Sequence, residues 1–213
     1  MTGIAAEIAA EVGGVVVPVS AVDEREAWLR GSPAAAALPA PGTSEGRQLR
    51  RWLTQLLVAE RVVAIGAARL GITDRHAPEP ADVLPDATSR VEIGSVAAAL
   101  LDSMPLARAL FAALAEDLVV PRSDIVSYYH RNAGRFAEPP TDAAGWRVHD
   151  PTVRPEPPPL PVVRPLIEAE LRAAAARRRF ARWLDAARAD LVRLRPGYEH
   201  PGDPRQPDNT HRH

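Results

Sequence analysis

Three of the six histidines, His200, His211 and His213, fall in the C-terminal tail, with Glu199, Asp203 and Asp208 nearby. Neutral imidazoles and carboxylates suit a divalent transition metal such as zinc, nickel or iron, and the His211–His213 pair can chelate if its backbone is extended. A polar, mobile terminus has the same composition, and composition favours that reading. The metal site stands as the alternative. With it stands a small-molecule or metal-dependent enzyme, of the kind used in bacterial specialised metabolism, whose pocket is capped by Tyr198, Glu199 and His200.

A second concentration of reactive side chains is "SDIVSYYHRNAGRF", Ser123 to Phe136. Asp124, Tyr129 and His130 are the residue types of an acid–base group. Their spacing argues otherwise: Asp124 and Tyr128, four apart, share a helix face, while His130 points elsewhere. The reading is packing for the tyrosines and solvent for the histidine. Arg172, Arg177, Arg178, Arg179, Arg182 and Arg188 form a basic run that could meet phosphates, but Glu168, Glu170, Asp185 and Asp190 interleave with it. A solvated helix face, its long stems covering apolar neighbours, explains that mixture better than nucleic-acid binding. "GGVVV" lacks the lysine and spacing of a P-loop, and "EIGSVAA" lacks the second glycine of a nucleophile elbow.

The chain has 213 residues, 46% hydrophobic and 25% charged, with 26 basic residues (all arginine) against 27 acidic ones. That is a globular composition with no general pull toward nucleic acid or membrane. Cysteine is absent, which excludes disulfides, thiol nucleophiles and thiolate metal sites. The start, "MTGIAAEIAAEVGG", carries glutamates where a signal peptide needs a basic end and an apolar run, and no segment is apolar enough to span a bilayer. A cytoplasmic protein is expected.

These residues must be positioned by a mainly α fold. "GGVVVPVSAVDEREAWLRG" predicts a short strand, then a short helix with Ser20 as N-cap and Gly31 as stop. Leu49, Leu53, Leu56, Val63, Ala67 and Leu70 recur at helical spacing over Thr43 to Leu70, with Trp52, Leu57 and Val62 widening the apolar stripe of a central helix. Ser89 and Glu92 have capping-box spacing, and Pro105 fits the first turn of a further helix. Ser123 is a candidate N-cap of the next. The proline-dense segment 138–165 is expected to be extended or irregular. A single long helix follows, from Pro165 to about Leu194, stopped by Pro196-Gly197.

Several phrases in this order resemble the N-terminal chaperone domain of the parvulin-type foldases, the SurA/PrsA-like family. They are Val12-Gly13-Gly14-Val15-Val16-Val17-Pro18-Val19-Ser20, the helix ending Ala67-Ala68-Arg69-Leu70-Gly71-Ile72, and Val120, Ser123, Ile125, Tyr128, Tyr129, Asn132 and Phe136. In that family the tyrosines and phenylalanine are packing residues, the asparagine closes the helix, and a long C-terminal helix completes the domain. The stretch between Phe136 and Pro165 is too short for a parvulin domain, and His149 is at most a vestige of one. The resemblance therefore implies a SurA N-terminal-like helical domain over residues 1–195, followed by a polar tail over 196–213. It also implies a chaperone-like module that binds unfolded or partner polypeptides, with no prolyl isomerase activity and no cofactor. The binding groove is expected between Trp52 and Leu56 of the central helix and Phe180, Trp183 and Leu184 of the last, although the same aromatics would serve as core. A homodimer through the basic helix is the remaining partner considered.

Overall fold

The computed structural model describes residues 7–137 and 156–203. His149, His211 and His213, Asp208, and most of the proline-dense segment lie outside the described residues. The chain divides into two units, residues 1–115 with 177–213, and residues 116–176.

The first unit opens with a hairpin, β1 (Ile8–Val12) and β2 (Val15–Pro18), in which Val12 pairs with Val15 across Gly13-Gly14. Both glycines have positive φ, 57° and 83°. A two-residue turn of that kind matches strand twist and disfavours most side chains with a Cβ. A third strand, β3 (Val192–Leu194), pairs antiparallel with β1, giving the order β2-β1-β3. The sequence reading extended the last helix through these residues. Instead α8 (Leu160–Leu191) stops where the Gly13 N–H donates to the Leu191 carbonyl at 2.9 Å, and β1 supplies the partners that the next three residues take up.

Five helices of the first unit, with the second half of α8, frame its core: α1 (Val19–Arg30), α2 (Ser44–Leu70), α4 (Ala87–Ile93), α5 (Ser95–Ser103) and α6 (Pro105–Ala115). A short turn, α3 (Pro80–Val83), precedes α4. The expected central helix is α2. Thr43 caps it by accepting the Gly46 N–H at 3.0 Å, and Gly71 closes it with φ 66°, so that the Ile72 N–H reaches the Ala67 carbonyl. Leu53, Val58, Val62 and Val63 on α2 are fully buried, as are Leu100, Leu101 and Leu110 on α5 and α6. Each such side chain contributes about 1.5–3 kcal/mol of transfer free energy.

Three caps differ from the sequence reading. Pro18, not Ser20, precedes α1. The capping box of α4 joins Asp86 to Ser89, with the serine at the third helical position. Pro121, not Ser123, precedes α7 (Arg122–Asn132). In each case a residue just upstream already has the extended backbone that a helix start needs.

The second unit packs α7 against the first half of α8. Ile125, Val163 and Ile167 are buried there among Val120, Tyr128, Tyr129, Phe136, Leu160 and Leu171. The helix begins five residues before the expected Pro165, which lies inside it. An interior proline removes one helical hydrogen bond at a cost of about 3 kcal/mol. Burial of Val163 and Ile167 on either side of it offsets that cost.

The tyrosine run is packing. The Tyr129 ring stacks on Phe136 at 6.4 Å between centroids, and its hydroxyl donates to the Pro158 carbonyl at 2.8 Å. The Tyr128 hydroxyl donates to Glu170 Oε1 at 2.7 Å, and Arg135 reaches both groups. Burial, followed by the Glu170 bond, raises the Tyr128 pKa above its ordinary value. Asn132 closes its helix with the side-chain amide, donating to the Tyr128 carbonyl at 2.8 Å, and its φ of −126° is not left-handed. His130 and Asp124 are exposed, so no acid–base group forms.

Among the described residues, no single helix is long and apolar enough to cross a membrane.

Candidate functional site: an apolar cleft of the first unit

Helices α1, α2 and α5 enclose a cleft of about 710 Å³. Its floor comes from α2, where Trp52, Leu53, Leu56 and Glu60 share one face at three- and four-residue spacing. Trp28 and Leu29 of α1 form one wall, and Ala99, Asp102, Ser103 and Met104 the other.

The two tryptophans differ. The Trp52 indole N–H donates to Ser95 Oγ at 3.2 Å, which fixes the ring plane at the edge of α5. Trp28 is 69% exposed, an unusual cost for so large an apolar surface.

Charge at the rim is compensated. Arg25 grips Glu60 with two bonds, at 2.8 and 2.9 Å, and Arg90 pairs with Asp102 at 3.0 Å. The Glu60 bond is the leading cause of a raised Arg25 pKa. At the base of α1, Glu26 receives hydrogen bonds from Arg30 and Arg50, and Arg50 also holds Asp23. The Arg25–Glu60 pair and the two Arg50 pairs tie α1 to α2.

The arrangement suits apolar side chains rather than covalent chemistry. Ser103, the hydroxyl in the cleft, donates to the Ala99 carbonyl in its own helix. Among the described residues, no group of three or more histidines, aspartates and glutamates is placed to hold a metal ion.

Of the five groove residues predicted, Trp52 and Leu56 line this cleft. Phe180, Trp183 and Leu184 do not. Phe180 is fully buried, 5.8 Å from the Phe111 ring, and Leu184 is buried as well. Trp183 lies over Gly66. Phe180 and Leu184 are thus core, while Trp183 lines a smaller cavity of about 280 Å³ between α2 and α8, with Val62, Gly66, Leu70 and Leu191; the larger cleft opens on the face of α2 toward α1 and α5. Trp28 and Met104 were missed, because nothing in the spacing of "EREAWLRG" separates an exposed tryptophan from a core one. His200, proposed as a metal ligand, accepts the Gly202 N–H on Nδ1 at 3.0 Å. The start of the tail packs on the body: Gln55 Nε2 donates to the Tyr198 carbonyl at 2.9 Å and Arg51 Nε to that of Gly197 at 3.2 Å.

A family model described as a family of unknown function, DUF7158, matches residues 8–45, the hairpin, α1 and the loop into α2. No curated protein matches the chain. No solved structure matches it either.

Proposed function

We propose that the chain is a chaperone-like module that binds polypeptides through the cleft between α1, α2 and α5, related to the parvulin-type foldases and lacking their isomerase activity. The observation that carries this reading is the exposed Trp28 beside an apolar cleft of about 710 Å³. A cavity of that size takes several apolar side chains, and aromatic anchors are the usual source of affinity for an extended or helical segment. The paired rim charges leave the site without a net electrostatic demand, which fits a client recognised by exposed apolar residues rather than by sequence.

The test is suppression of aggregation of an unfolding model protein by the purified, untagged chain at stoichiometric ratio. Protection supports the reading, and its absence removes it.

A further inference from the structure

A second cavity of the first unit, about 280 Å³, lies between the start of α5, the second half of α8 and His200. Arg188 lines it. Burial lowers the pKa of this guanidinium from its ordinary value, with Asp185 on the rim acting in the opposite sense. Its hydrogen bond goes to the neutral amide of Gln55, Nη2 donating to Oε1. Gln55 is itself fully buried and held by the Tyr198 carbonyl, so that oxygen is fixed. A half-buried cation answered by an amide rather than a carboxylate carries a desolvation cost that an anion in the cavity would relieve.

The other walls are consistent with an anion. The Gly94 backbone at the start of α5 has φ 86°, and with no side chain to cap the helix, the amides of Ser95, Val96 and Ala97 are left without a capping acceptor at the cavity wall. Ser95 Oγ accepts the Trp52 indole N–H, which leaves the hydroxyl proton to donate. His200 accepts the Gly202 N–H on Nδ1, so its neutral ring carries the proton on Nε2, as a donor. Ile93, Ala181 and Leu184 supply an apolar side.

We propose that this cavity binds the carboxylate of a short aliphatic ligand, with Arg188 as charge partner and the first amides of α5 and His200 as further donors. One planar guanidinium matches a carboxylate, and the Asp185 charge on the rim disfavours a dianion such as phosphate. The carboxylate could belong to a free short-chain acid or to the end of a polypeptide. The assignment holds whether or not the larger cleft binds clients.

The experiment titrates butyrate, butyramide and methyl phosphate into the full chain, followed by calorimetry and by the amide NMR signals of residues 95–97. Saturable binding of butyrate alone is expected, in the millimolar range that so small a ligand allows. Arg188→Gln weakens it by at least about tenfold. Ala181→Asp, which places a rival carboxylate on the wall without touching Arg188, does the same and decides the matter if Arg188→Gln fails to fold. Absence of saturation, equal binding of butyramide or of methyl phosphate, or unchanged affinity in the folded variants overturns the proposal. A short N-acetylated peptide ending in valine, with a free or an amidated C-terminus, separates the sources. A free peptide that binds more tightly than butyrate assigns the cavity to chain ends, and the reverse assigns it to free acids.

Discussion

Trp183 on α8 lies so close over Gly66 on α2 that a Cβ at position 66 would sit 2.4 Å from Trp183 Cζ2 and 2.8 Å from Cη2. The approach of the two helices is thus set by a missing side chain, and the half-buried tryptophan acts as a spacer in the helix packing while also lining the small cavity beside it.

Replacing Gly66 by Ala gains about 1 kcal/mol of helix propensity but overpacks a rigid ring at a cost of about 1–3 kcal/mol. A net loss of stability is expected, read as a lower urea midpoint with unchanged slope. A higher midpoint would mean that the ring yields freely and that the spacer argument is wrong.

Glu26 gives the fold a pH dependence with a defined sign. Burial pushes its pKa up, but the hydrogen bonds from Arg30 and Arg50 outweigh that and hold it below its ordinary value. A carboxylate lowered on folding stabilises fully above its unfolded pKa, about 4.3, and loses that contribution as pH falls through the lower folded value. Glu26→Gln is therefore expected to cost about 1–3 kcal/mol at neutral pH. The gap between wild type and variant should close as the pH drops below about 4. Denaturation midpoints that stay parallel across that range would contradict the assignment.

The docked start of the tail makes a third prediction. A chain ending at Arg195 loses the acceptors of Gln55 Nε2 and Arg51 Nε and the packing of Tyr198 against Ala9, Val22 and Leu53. A loss of about 2–4 kcal/mol is expected from a buried amide without its acceptor and the removed ring. An unchanged melting temperature would show that these contacts hold nothing together.

Much of the helical framework was legible because periodicity reports burial directly. The α2 stripe from Leu53 to Ala67, the Thr43 and Gly71 ends and the Pro105 start are local signals that lie where their chemistry puts them, whereas Leu70, read as part of the stripe, is 58% exposed in the last turn. The misread features depend on distant partners. The Gly13-Gly14 turn is a strong hairpin signal, yet β1 reads as "IAAEV" and gains its identity from pairing with both β2 and β3. The change from helix to strand at Val192 is likewise set by β1, and helical spacing continues through it without a break. The site was half legible for the same reason. Trp52 and Leu56 sit on a stripe wide enough to have two apolar sides, and only the packing of Phe180 and Leu184 shows that these two α8 residues are core while the larger cleft lies on the other side. Exposure of Trp28 has no sequence signature at all.

That exposure allows the most direct test of the polypeptide-binding cleft. At 69% exposure, Trp28→Ala should leave stability within about 0.5 kcal/mol of wild type, because little packing is lost. Val91→Ala removes an apolar side chain 81% exposed on α4, outside the cleft, and serves as the matched control. Suppression of client aggregation should fall by more than half in Trp28→Ala, with Val91→Ala and wild type indistinguishable and all three melting together. Equal protection by Trp28→Ala and wild type, or protection by none of the three, would contradict the cleft as the binding site.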